Sequence, residues 1–147
     1  MGRLRKSSLR IATVALVCGM TGIGCAAMVL SPSAGADPDQ ENVKFFVSPS
    51  GNISCELDFQ RAGLPDTAYC VSSQPQQSVS MTPEGVLDVC GGESCMSDPP
   101  LEATTLRYGQ TTGIGPFTCR SEEIGVTCRV ASGRGFTIST SGIAPVG

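Results

Sequence analysis

This 147-residue sequence predicts an all-β domain, small and stapled by disulfides. Three observations carry the prediction. After residue 40 the apolar runs are about four to six residues long, and glycine or proline interrupts them roughly every ten. Helical periodicity is nearly absent over the same stretch. Six cysteines lie in it, an even number, behind a segment that reads as an export signal.

That segment comes first. Arg3, Arg5, Lys6 and Arg10 form a basic head, followed by an uncharged, mostly apolar run of 20 residues from Ile11 to Leu30. Ser31-Pro32-Ser33 follows, then Ala34-Gly35-Ala36 directly before Asp37-Pro38. The order is that of a secretory signal peptide, whose small-x-small site seats small side chains in a signal peptidase. The expected division is a signal peptide over 1–36, a loose N-terminal tail over 37–43 and a single β domain over 44–147. Two rivals stand beside cleavage after Ala36. The apolar run is long enough to span a bilayer if uncleaved, although Gly19, Gly22, Gly24, Ala26 and Ala27 dilute it. Gly22-Ile23-Gly24-Cys25 has the form of a lipobox, with glycine where a leucine-like residue is usual and an apolar stretch where a polar tether is expected. The expected location is therefore secreted or envelope-associated, with membrane anchoring through Cys25 or an uncleaved signal as the alternative. The mature chain spans no membrane if the signal is cleaved.

Charge changes on cleavage. Four of the ten basic residues lie within the signal and all 13 acidic residues lie outside it, so six face thirteen and the mature balance is −7. Phosphate backbones are bound by clustered lysine and arginine. Lys44 and five scattered arginines do not supply that, and no nucleic-acid partner is expected.

Cys18 and Cys25 leave with the signal, and Cys55, Cys70, Cys90, Cys95, Cys119 and Cys128 remain. Six cysteines allow 15 pairings, and sequence alone selects none of them. Loop length favours Cys55–Cys70, Cys90–Cys95 and Cys119–Cys128, each a short loop suited to a hairpin. Zinc is the competing reading of Cys90-Gly91-Gly92-Glu93-Ser94-Cys95. No second close pair and no histidine complete such a site, and an exported chain meets an oxidising compartment. No metal and no cofactor are expected. The chain also lacks Cys-x-x-Cys, the motif of thioredoxin-type redox work.

The strands follow in order. Phe45-Phe46-Val47 runs into Ser48-Pro49-Ser50-Gly51-Asn52, and Ile53 to Leu57 then alternates apolar and polar. Val79-Ser80-Met81 likewise reaches Thr82-Pro83-Glu84-Gly85 before Val86 to Cys90. Both turns place proline second and glycine fourth, which presets a type I turn and then supplies positive φ for a bulge. Phe117 to Arg120, Val126 to Val130 and Phe136 to Ser139 form an antiparallel meander. Val126, Cys128, Val130, Phe136 and Ile138 share its inner face, with Thr127, Arg129, Thr137 and Ser139 facing water. A helix over Asp58 to Thr67 is opposed by Gly63 and Pro65, and Gly113-Ile114-Gly115 reads as a bend. Asp98-Pro99-Pro100 opens an irregular connection. A sandwich or open barrel of antiparallel hairpins is the expected architecture.

A family resemblance runs through these residues. Phe46 to Cys55, Tyr108-Gly109-Gln110, Gly125 to Cys128 and Gly133 to Ser139 resemble signatures of small exported actinobacterial, notably mycobacterial-type, proteins known as a domain of unknown function. The Ser-Pro-Ser-Gly-Asn turn before a cysteine is the most specific of them. The resemblance implies a secreted, disulfide-stapled β domain and supplies no catalytic residue.

Chemistry is bounded mainly by exclusion. Without histidine there is no common general base and no middle member of a serine or cysteine triad. Lys44 sits in no motif for serine–lysine work. Glu122 and Glu123 at a hairpin tip, with Asp58, Asp66 and Asp88, are the remaining carboxylates for acid–base pairing. No enzyme is expected. Binding demands less. The stretch Gln60 to Asp66, clamped at its base by Cys55 and Cys70, is a candidate binding loop, with Arg61, Leu64 and Asp66 its foremost residues. Arg120, Arg129 and Arg134 form either a small basic patch or a mixed-charge face. The expected function is a non-catalytic module binding an unknown protein or envelope component. The alternative is a protease-inhibitor-like protein or a weak carboxylate-dependent hydrolase.

Overall fold

The computed structural model describes residues 42–98 and 102–147. The expected signal peptide, its cleavage site, Cys25 and residues 37–41 of the tail lie outside them, as do Pro99 and Pro100. The described residues contain eleven strands, one short 3₁₀ turn and no α-helix. The first sheet holds β1 (Val43–Val47), β2 (Ile53–Asp58), β3 (Thr67–Ser73), β4 (Gln76–Met81), β5 (Leu87–Gly91) and β6 (Thr104–Thr105). The second holds β7 (Thr111–Ile114), β8 (Phe117–Glu122), β9 (Gly125–Arg129), β10 (Gly135–Ser139) and β11 (Gly142–Val146). The spatial orders are β5-β4-β3-β2-β1-β6 and β11-β10-β9-β8-β7. All pairings are antiparallel except β1 with β6.

One glycine device closes three of the hairpins. In each, the amide of a glycine donates to the carbonyl three residues before it, on the first residue past the strand: Gly51 to Ser48, Gly85 to Thr82 and Gly133 to Val130, at 2.8, 2.8 and 2.9 Å. All three glycines hold positive φ, at 73°, 75° and 89°, where a β-carbon would be strained. Proline is dispensable to the device, since Ala131 stands in its place in the third hairpin. The remaining hairpins use two-residue turns at Gln74-Pro75, Gly115-Pro116, Glu123-Ile124 and Thr140-Ser141.

The two sheets pack face to face around one apolar core. Phe46, Ile53, Leu57, Ala68, Val79 and Met81 come from the first sheet, and Phe117, Val126, Phe136 and Ile138 from the second. Each sheet is stapled through its centre. Cys55 pairs with Cys70 and Cys119 with Cys128 as directly opposed residues, with Cα–Cα separations of 4.1 and 4.0 Å. These separations belong to the narrow positions of an antiparallel ladder. The third bond joins Cys90 to Cys95 across a Cα–Cα distance of 5.6 Å. It folds the 3₁₀ turn Glu93–Cys95 over the outer face of the first sheet, where Tyr69 donates to the Cys95 carbonyl at 3.3 Å. Three disulfides fit an oxidising environment.

Several expectations are adjusted. Val43, placed in the tail, is already paired with Asp58. Gly113 and Ile114 extend in β7 and pair with Thr118 and Phe117, leaving only Gly115 of that trio in a turn. Between Asp58 and Thr67 there is no helix; the chain loops from β2 to β3. The meander and the two proline-containing hairpins take their expected places, and the meander's inner face is buried as patterned.

Candidate functional site

Strand direction sorts the turns into two groups. At one end of the sandwich stand the β1–β2, β3–β4, β8–β9 and β10–β11 turns, together with the Arg107–Gln110 loop that leads into β7. At the other end stand the β2–β3 loop and the β4–β5, β7–β8 and β9–β10 turns.

The first end holds a cleft of about 450 Å³ between the two sheets, lined among others by Ser50, Asn52, Tyr108, Glu122, Glu123 and Ile124. Its walls differ in character. On the first-sheet side the polar groups are already engaged. The Asn52 amide nitrogen donates to Ser72 Oγ and the Gln74 carbonyl, at 3.1 and 2.9 Å. Its oxygen accepts from Ser73 Oγ and the Gln74 amide, both at 2.8 Å. Ser48 Oγ accepts from the Ile53 amide at 3.1 Å and lies 3.0 Å from Ser50 Oγ. The Ser-Pro-Ser-Gly-Asn signature is thus a clamp between neighbouring turns. On the opposite wall Tyr108 is 44% and Ile124 72% exposed. The Tyr108 hydroxyl and the Glu123 carboxylate have no partner among the described residues.

A second hollow, about 540 Å³, lies on the outer face of the second sheet. Arg120 and Arg129 line it from adjacent strands, with threonines between them. Arg134, grouped with them in the sequence, lies elsewhere: its guanidinium donates to the Glu84 carbonyl at 3.3 Å, at the other end of the molecule. Arg120 Nε is 3.5 Å from Glu122, a loose exposed ion pair of the kind worth little.

The loop from Gln60 to Asp66 is internally tied. Arg61 turns back onto Glu56 and Asp58, at 3.3 and 3.0 Å. Asp66 accepts from the Gln60 amide at 2.7 Å, holding Gln60 at a φ of 56°. Leu64 is half exposed. The three candidate residues therefore share a loop but present different faces: one ion-paired, one apolar, one spent on the backbone. Glu56 is held above the ordinary glutamate range, first by burial and then by Asp58, with Arg61 opposing. Asp88 stands on β5 with two strands between it and β2, so Asp58, Asp66 and Asp88 do not converge on one cavity. The six cysteines among the described residues are all disulfide-bonded. Cys55, Cys70 and Cys128 bring their sulfurs within 4.8 Å of one another, but as halves of two disulfides rather than free thiols.

Sequence reasoning missed the cleft because its walls come from residues 48–52, 73–74, 108 and 122–125, distant in the chain. Alternation of turns between two ends is the signal that would have grouped them. The class defined is a disulfide-stapled β-sandwich with a loop-end cleft. No protein-family model matches the chain, and neither a curated protein nor a solved structure matches it.

Proposed function

We propose that this protein is an exported, non-catalytic binding module that engages a cell-envelope or extracellular partner through the loop-end cleft. The observation that carries the reading is the contrast between the two walls. Asn52 and Ser48 spend their polar groups holding the turns, whereas Tyr108, Glu123 and Ile124 are presented and unengaged. An exposed tyrosine supplies contact area at low entropy cost, and clamped turns lose little freedom on docking. Export is supported by the basic–apolar–small order of residues 1–36 and by the three disulfides.

The test uses the oxidised protein immobilised against envelope and culture-medium extracts, beside a Tyr108→Ala/Ile124→Ser variant. A partner retained by the wild type and released by the variant is expected. Equal retention by both would remove the cleft from the reading. Secretion is checked by the mass of protein in the medium: an N-terminus at Asp37 is expected, and a diacylglyceryl-modified Cys25 in membranes would replace it with an anchored form.

One observation keeps the carboxylate-dependent hydrolase as a second reading, because Glu122 and Glu123 line the same cleft. Sugar release from envelope polysaccharide by the wild type and not by Glu123→Gln would favour it over binding alone.

A further inference from the structure

The hollow on the second sheet is separate from the loop-end cleft and makes different chemistry available. Thr118 opposes Arg129 and Arg120 opposes Thr127 across β8 and β9, so the two arginines are diagonal neighbours on one outer face. Diagonal β-carbons lie roughly 7–8 Å apart, within reach of two guanidinium groups closing on one centre. Each arginine is held at one point only. The Gly133 carbonyl accepts from Arg129 Nη1 at 2.8 Å, and Glu122 takes Arg120 Nε at 3.5 Å. Their other nitrogens have no partner among the described residues. The Gly133 contact reduces the freedom that Arg129 would lose on meeting a ligand, whereas the loose Glu122 pair leaves Arg120 free to turn toward one.

Thr118 and Thr127 line the hollow between the arginines, the Thr127 hydroxyl lying 2.9 Å from that of Thr137 and keeping capacity for one further bond, and Pro116 and Val130 give the hollow an apolar margin. A volume of about 540 Å³ with an apolar margin and several polar groups is in the range of a small-molecule site. Guanidinium forks match phosphate and carboxylate geometry. Between the two, Glu122 decides. A single carboxylate brings no more charge to Arg120 than Glu122 already supplies, whereas a phosphate monoester brings nearly two charges and three accepting oxygens. We propose that this hollow is a binding site for a phosphate monoester carried on a small organic body such as a sugar, with Arg120 and Arg129 on the phosphate and Thr118 and Thr127 completing its hydrogen bonds.

The test is an amide NMR titration of the oxidised protein at fixed ionic strength, with glucose 1-phosphate, inorganic phosphate and glucose as probes. Saturable shifts at Thr118, Thr127 and Arg129 are expected with glucose 1-phosphate, with inorganic phosphate about tenfold weaker and glucose silent. Among the described residues the Arg120 side chain pairs with Glu122 alone, so Arg120→Gln keeps the fold; it should weaken binding about tenfold or more. Arg129→Gln should do the same, and Glu122→Gln should tighten binding by removing the competing charge. Unsaturable shifts, equal shifts from glucose, or unchanged affinity in Arg120→Gln would each overturn the site. Equal affinity for inorganic phosphate would overturn the organic ester as its ligand.

Discussion

The sulfurs of Cys70 and Cys128 lie 3.9 Å apart in the centre of the core, so the staple of one sheet rests directly on the staple of the other. Both bonds are fully buried, and each is packing surface for its neighbour as well as a cross-link. Removing Cys55–Cys70 by paired alanines should cost about 3 kcal/mol through loop closure alone, its loop being 15 residues long. Removing both bonds should cost less than the sum of the two paired removals, because their mutual contact is counted in each. Groups in contact commonly couple by about 0.5–3 kcal/mol. Urea melts of the two paired variants and the quadruple variant measure it, and strict additivity would show that the sulfur contact carries no energy.

Gly135 has no room for a side chain. A β-carbon there would meet the Cys128 carbonyl oxygen and the Arg129 Cα, both backbone atoms of the neighbouring strand. Gly135→Ala should therefore destabilise by about 1–3 kcal/mol or more, as overpacking against backbone does. Gly91→Ala is the control: nothing lies within 4 Å of its added carbon, and the change should be near neutral. Thermal melts of the pair decide.

Asn52→Ala removes four hydrogen bonds between two turns and leaves the sheets intact. A loss of about 1–3 kcal/mol is expected, given partial exposure and the modest net worth of each bond. Hydrogen exchange should quicken at Ser73 and Gln74 while the core amides of β8 and β9 keep their protection. Uniform acceleration would show that the clamp supports the whole fold.

Glu56 gives a pH dependence. Its folded-state pKa is raised, so its contribution to stability is fully present below the unfolded glutamate value and is lost as pH rises through the folded value. Glu56→Gln should be more stable than wild type at neutral pH, with the gap closing as the medium is acidified through the glutamate range. A gap independent of pH would assign the effect to packing.

Ser121 Oγ is fully buried without a hydrogen-bond partner among the described residues. An orphaned hydroxyl costs roughly 1–3 kcal/mol of desolvation. Ser121→Ala should leave melting unchanged or raise it, and a clear drop would reveal a bound water there.

The legible parts of this fold are those written locally. Proline second and glycine fourth announced the Ser48 and Thr82 turns, and strict alternation announced β8 to β10. Other strands break the local rules for reasons of position. β11 contains Pro145, admissible because β11 is an edge with no ladder to serve on its outer side. β7 contains Gly113, whose missing side chain is needed because the Phe117 carbonyl crowds it. In β3, Val71 sits on the outer face yet is buried, in one row with Ser54 and Ser78, which blurs the alternation. β6 has only two residues and pairs parallel, so no run of sequence marks it. The candidate loop, read between Cys55 and Cys70, joins β2 to β3, and the ion pairs that turn Arg61 back depend on Glu56 and Asp58 sharing one face. Period two permits that arrangement without requiring Arg61 to use it.

β1 and β11 give the molecule a polarity. β1 enters the sheet beside Asp58 and β11 leaves beside Gly135, so both strands meet the outside at the end away from Tyr108 and Glu123. A chemical linker or fusion tag attached just ahead of Val43 therefore joins the sandwich at its rear. Immobilised in that way, the protein offers its cleft to solution, and the length of the linker changes its reach without blocking its mouth.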